Sequence, residues 1–413
     1  MLMIYHAGYW MFLAILHGLL FKPVMMFFEL PSKEFYDEFL LQSITRDEYY
    51  LYGLFHLMFI GIIFLFYVFL RTYNIQLVGK TERDVQKKFI TNYNLRKIVL
   101  LLSIVFITLV YELIKRGPEN LVHGKRYYTT TTIDTYQSST MQQLLVWIAF
   151  PISFMLLINI KNRYKLLTSK LCFIIASFFI FLISFIFDNR GQLVFSLISI
   201  YAASVYLGIT LRTSIKFLIS LIMLSALTYM TALRASADDI LSSLFSVLNS
   251  LVGRNFLEIS KSIHIIKSID YSLHYTYFTE LLNPILLYIP RAIFPNKPVN
   301  VDTVVGAEVF GCNYIGSCAV PPGAFAQASW SAGLAAILVL SLVLAVVLLL
   351  IDQLLKNRSY RDGNFVIFYF SLIIFLFIDV LGSGYTSFLR QFIIKGILLF
   401  ILTKFVSNKM VVA

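Results

Sequence analysis

Apolar residues in this chain come in long runs rather than alternating with polar ones, and the runs recur at intervals from one end to the other. A hydrocarbon core about 30 Å thick is spanned by roughly 20 apolar residues as helix. On that measure ten runs predict membrane helices: residues 5–28, 49–70, 98–114, 142–160, 171–187, 192–210, 217–231, 334–351, 365–381 and 392–406. The pattern predicts an all-α polytopic membrane protein. Its parts are an N-terminal membrane domain over 1–231, one large, partly helical outer loop over 232–333, and a C-terminal membrane domain over 334–413.

The connecting segments set the orientation. With the N-terminus inside, the inner segments 71–97, 161–170, 211–216, 352–364 and 407–413 hold 17 Lys and Arg, and the short outer ones hold 8. Cytoplasmic loops collect cations, whereas long loops translocate largely regardless of charge. Both termini are therefore expected inside and the loop 232–333 outside.

Composition agrees with this reading. The chain is 59% hydrophobic and only 14% charged, where a soluble domain carries about a quarter charged residues. The net charge of +12 is accounted for by inner-loop cations, so nucleic acid is not expected as a partner. The opening "MLMIYHAGYW" lacks a basic n-region, and no removable signal peptide is expected. Three cysteines, Cys172, Cys312 and Cys318, are too few for a disulfide framework. "GKT" at 79–81 is not a phosphate loop, because Asn74 stands where such a loop has its first glycine. No internal repeat is visible.

The long loop is rich in Ile, Leu, Phe and Tyr, which argues for a folded segment rather than a disordered one. "RNFLEISKSIHIIKSID", 254–270, predicts an amphipathic helix lying on the membrane surface. Phe256, Ile259, Ile263 and Ile266 would face down, with Arg254, Glu258 and Lys261 on the solvated side. Further on, "YIPRAIFPNKP" at 288–298 holds three prolines and two cations. Proline fixes φ and biases the residue before it toward extended geometry. Arg291 and Lys297 are thus expected on a stiff, non-helical strap, where Arg supplies a planar fork for phosphate oxygens and Lys a point charge. A proline-rich turn with two headgroup-binding cations is the simpler alternative.

That strap, followed by Gly306, Gly311 and "PPGAFAQASWSAGLAAI" running into an apolar span, resembles the Wzy-type O-antigen polymerases. "FDNRGQL" at 187–193 resembles a short Arg-Gly turn of the same family. The resemblance covers mainly 187–193 and 250–340, together with the layout of about ten spans and one large loop. It implies a GT-C-like membrane glycosyltransferase in the bacterial inner membrane, with the large loop in the periplasm. The reaction it implies moves a glycan from undecaprenyl diphosphate to the non-reducing end of another lipid-linked repeat unit. A chain-length regulator is the expected protein partner, and no cofactor is expected.

Departure of a sugar–diphosphate bond builds negative charge on the diphosphate, and fixed cations aimed at it lower the barrier. Arg291, Arg254 and Lys297 are the expected clamp. Arg190 and Arg390, at outer helix ends, are further substrate-binding candidates, although cations there commonly reach for headgroups. An acceptor hydroxyl also needs a base. His264 and Glu258 are candidates, with His274, Glu280 and Glu308 also in the loop.

Rival chemistries leave weaker traces. The first outer loop has Glu29, Glu34, Asp37 and Glu38, and Asp238-Asp239 opens the large loop, but neither place has Asp-x-Asp. His264 and His274 lack zinc spacing, so no metal is expected. Cys312 and Cys318, with five residues between them, would be free to form a disulfide in an oxidising periplasm. Asp379 is expected in a hydrogen-bonded structural role. A lipid-linked oligosaccharide flippase should carry more mid-membrane charge. An O-antigen ligase, passing glycan to lipid A-core, is the nearer alternative.

Overall fold

A computed structural model describes residues 45–73, 89–116, 134–186, 190–209, 259–269, 271–286, 301–311, 320–357, 363–374 and 384–411, with a few single residues besides. In chain order the elements are α1 (Arg46–Thr72), β1 (Phe89–Tyr93), α2 (Leu95–Arg116), α3 (Asp134–Lys161), α4 (Leu166–Ile186) and α5 (Arg190–Tyr206). They continue with α6 (Ile259–Lys267), a 3-10 turn (Thr279–Leu282), α7 (Asn283–Leu286), α8 (Val301–Glu308) and α9 (Ala324–Asn357). The last are α10 (Gly363–Phe368), a π-turn (Tyr369–Ile373), α11 (Tyr385–Val406) and β2 (Ser407–Val411).

The described chain is mostly helical. Three of its helices are long and apolar enough to cross a membrane: Tyr50–Thr72, Leu166–Ser184 and Ala324–Leu355. Eight of the ten expected apolar runs fall on helices, and the runs 5–28 and 217–231 lie outside the described residues. Among the described residues the apolar stretches Leu145–Lys161, Phe195–Tyr206 and Gly363–Ile373 are shorter. α2 carries Arg96, Lys97, Glu112, Lys115 and Arg116, and α11 carries Arg390, Lys395 and Lys404.

The chain divides into two compact units. The first comprises residues 1–81, 251–357 and 376–394. α1 starts on a capping box, in which Thr45 Oγ accepts from the Glu48 N–H and Glu48 accepts from the Thr45 N–H. Asp47 and Glu48 add negative charge to that helix N-terminus. At its other end Ile75 O accepts from Gln353 Nε2 at 2.5 Å. α6 buries Ile265, which packs with Ile269, Val301, Val305, Ala326 and Trp330 in one apolar cluster. Lys267 at the end of α6 pairs with Glu48.

The second unit comprises residues 82–250, 358–375 and 395–413. Its centre is α3, whose side chains from Leu145 to Ile158 are nearly all buried. A helix apolar all round belongs in a core. β1 and β2 pair antiparallel, Phe89 opposite Val411 and Tyr93 opposite Ser407. The amide of Asn159 closes on the Tyr93 backbone, accepting from its N–H and donating to its carbonyl, both at 2.9 Å. Tyr93 OH donates to Asn364 Oδ1 at 3.0 Å, and Lys97 Nζ to Phe405 O at 2.7 Å. The start of α2, the end of α3, the start of α10 and the end of α11 thus meet at one end of this unit. Asn162 Nδ2 adds a bond to Asn92 Oδ1 at 3.1 Å at the same end.

Candidate functional site

The site grows from a break in α9. Its first segment, residues 324–331, ends where Ala332 (φ −161°, ψ 36°) and Gly333 (φ 58°, ψ −137°) leave helical geometry. A helix end strands its last carbonyls. Here the segment 274–277 takes them up. Tyr277 N donates to Ser331 O at 2.8 Å and Thr276 N to Trp330 O at 3.4 Å. The Trp330 indole N–H returns a bond to His274 O at 2.7 Å. Laced in this way, the chain turns through Tyr277 (φ 47°) and Phe278 (φ 66°), both left-handed. That conformation costs a side-chain-bearing residue about 1–2 kcal/mol, and two aromatics in succession hold it only because the surroundings impose it.

The turn delivers Glu280, 3% exposed. Its Oε1 accepts from the hydroxyls of Ser331 and Tyr385, and its Oε2 from that of Thr276. Ser331 Oγ also lies 2.9 Å from Gln327 O, as a donor. Among the described residues no Lys, Arg or His forms an ion pair with Glu280. A buried carboxyl is ordinarily paired or neutralised, and here hydroxyls alone surround it. Burial, and then the hydrogen bond to Glu280, push the Tyr385 phenol above its ordinary range.

Two further contacts fix the start of α11 to this site. Gln327 Nε2 donates to Thr386 Oγ1 at 2.8 Å, and Thr386 N donates to Gln327 Oε1 at 3.4 Å, so a glutamine side chain satisfies a free amide of the helix N-terminus. The approach demands glycine at 384, where φ is +88° and an added Cβ would stand 2.5 Å from Gln327 Oε1. Next to it Asp302, 6% exposed, accepts from Ser387 Oγ at 3.3 and 3.4 Å. Arg390 NH2 lies 3.7 Å from the same carboxylate.

The expected site residues fare unequally. Arg254, Glu258, Arg291, Lys297, Cys312 and Cys318 lie outside the described residues, as do Asp379 and the first-loop acids. Arg190 is the first residue of α5. Arg390, a substrate-binding candidate, lies against the buried carboxylate of Asp302. His264 is half-buried, edge-on to Phe310 with ring centroids 5.9 Å apart. His274 and Glu308 are exposed.

One expectation is corrected. Lys261 was placed on the solvated face of its helix, yet it is buried, 7% exposed, together with Ser262. The helix packs against α1, α8 and α9 rather than lying free on a surface, so more than one of its faces is covered. Sequence reasoning also missed Tyr385, Ser331, Gln327 and Asp302. Their only trace is the density of small and hydroxyl residues in "AFAQASWS" and "GYTS" just before apolar runs.

Among the described residues no group of three or more His, Cys, Asp or Glu is arranged to hold a metal ion. Set against models of known protein families, characterised proteins and solved structures, the chain matches none.

Proposed function

We propose that the chain is a metal-independent membrane glycosyltransferase, an O-antigen or related surface-polysaccharide polymerase. It transfers an undecaprenyl-diphosphate-linked glycan onto the non-reducing end of a second lipid-linked repeat unit. In this reading the large loop is periplasmic, both termini are cytoplasmic, and a chain-length regulator associates with the enzyme in the bacterial inner membrane. Arg291, Arg254 and Lys297 clamp the departing diphosphate, and Arg190 and Arg390 bind substrate.

The observation that carries the reading is where the motif residues fall. Of residues 321–337, the second half of the stretch that resembles the polymerase family, 324–337 form the broken start of α9. They contribute Gln327, Trp330 and Ser331 to the polar cluster around Glu280, Tyr385 and Thr386. Stiffly held polar groups at the mouth of an apolar span suit a reaction between a lipid-borne donor and a soluble sugar end.

Deletion in the native strain, followed by a glycan ladder gel, tests the proposal. A polymerase leaves lipopolysaccharide capped by a single repeat. Bare core would mean a ligase, and an unchanged ladder would exclude both.

A further inference from the structure

Glu280 is surrounded by hydroxyls that differ in exposure. Ser331 is 0% exposed and Tyr385 6%, whereas Thr276 is only partly buried. Thr276 sits between Tyr275 and Tyr277, which are 37% and 73% exposed, with ring centroids 6.1 Å apart. Of the three hydroxyls that meet the carboxylate, that of Thr276 belongs to the least buried residue. The left-handed backbone at Tyr277 and Phe278 is what aims Thr276 and Glu280 at one another.

We infer that Glu280 accepts the proton of the attacking sugar hydroxyl through Thr276. The inference rests on the proposed glycosyl transfer and adds to it a path for the proton. The acceptor oxygen forms a bond to the anomeric carbon of the donor glycan. The bond from that carbon to the diphosphate oxygen breaks, and its electron pair leaves on the lipid diphosphate. The acceptor's proton passes to Thr276 Oγ as the threonine's own proton passes to Glu280 Oε2. Reversal of the relay to water restores the carboxylate. Oε1 stays occupied by Ser331 and Tyr385 throughout.

The groups facing Glu280 make it suited to this task. α9 presents Ser331 and no charge over residues 324–331. α11 presents Tyr385, and its Arg390 is engaged with Asp302 of α8. On its own segment His274 is exposed. Among the described residues no cation pairs with this carboxyl, and its side-chain contacts are all to hydroxyls. A purely structural tie between 274–284 and the two helices would use the same contacts. The pH dependence of the reaction separates the two roles.

The test uses purified full-length protein in liposomes with undecaprenyl-diphosphate-linked repeat units, polymer being measured against pH and each variant checked by thermal melting. Thr276→Val and Glu280→Gln should lower the rate about 10²- to 10⁴-fold, the contribution of a positioned acid–base group, while Thr276→Val still melts cooperatively as a folded protein. Thr276→Ser should restore most of the rate, and Glu280→Asp should retain some activity with a displaced acidic limb. Folded Thr276→Val and Glu280→Gln that polymerise with the wild-type rate and pH profile would overturn the relay alone. Thr276→Ser as inactive as Thr276→Val would overturn it too. A wild-type protein that forms no polymer would overturn both the relay and the proposed transfer.

Discussion

The hydroxyl of Tyr385 and the carboxylate of Glu280, 105 residues apart in sequence, share a hydrogen bond between two buried residues. That bond ties the first turn of α11 to the strained turn at 277–278 and, through Ser331, to the broken start of α9. Each element alone would leave a polar group stranded.

Removing the phenol exposes what it does. The Tyr385 pKa is raised by burial and by Glu280, so the folded protein keeps the proton where the unfolded chain has lost it. Stability from this group is complete below the unfolded value of about 10 and falls as pH rises past it. Melting curves in detergent should show the wild type losing stability above about pH 10 more steeply than Tyr385→Phe. At neutral pH the Phe variant should melt lower, by the equivalent of about 1–3 kcal/mol for a buried acceptor left short of a donor.

Gly384→Ala tests the close approach of two backbones. A methyl at this position meets Gln327 Oε1 and must adopt φ +88°. The expected loss is about 1–3 kcal/mol, read as a lower melting temperature. Gln327→Ala in the same background should relieve the clash but still lack the helix-end contact to Thr386.

Arg390→Ala leaves buried Asp302 without the cation it faces. Since Arg390 is itself 30% exposed at its side chain, the pair is partly screened, and the loss should be modest, about 1 kcal/mol. Arg390→Ala combined with Asp302→Asn should recover part of it. Equal losses in the single and double variants would mean that the pairing contributes nothing.

The pairing of β1 with β2 predicts a cross-link. Directly opposed residues in an antiparallel pair have Cβ atoms about 4.5–5.5 Å apart. Asn92→Cys with Asn408→Cys, opposite one another in register, should join under mild oxidation. A Thr91→Cys, Asn408→Cys pair, one residue out of register, should join less readily.

The sequence carried the helices far better than the site. Apolar runs mark α1, α3, α4 and α9 because burial in hydrocarbon or in a core needs them, whichever neighbour they meet. The run beginning at 334 even starts at the break, since Gly333 is where the helix loses its regular geometry. Residues 324–331 precede the apolar run that begins at 334. They fold as helix, with Gln327 and Ser331 finding side-chain partners 59 and 51 positions away. Glu280 stood among five candidate bases with nothing local to distinguish it. What distinguishes it is contact with Ser331 and Tyr385, and such long-range contacts leave no periodicity in one chain. Lys261 shows the opposite failure: helical spacing identified a helix and one buried face, but the number of neighbours around that helix is a tertiary fact. The strands β1 and β2 pair across most of the length of the chain, so neither five-residue stretch stands out locally.

The cation clamp on a departing diphosphate is the centre of the account, and Arg291 is its principal residue. A deletion strain carrying the chain on a plasmid allows the most direct measurement, the lipopolysaccharide ladder from wild type and from Arg291→Ala at equal protein levels in the membrane. The account predicts a full ladder from the wild type and single-repeat lipopolysaccharide from Arg291→Ala, with Arg291→Lys impaired because a point charge replaces a planar fork. A full ladder from Arg291→Ala would contradict it.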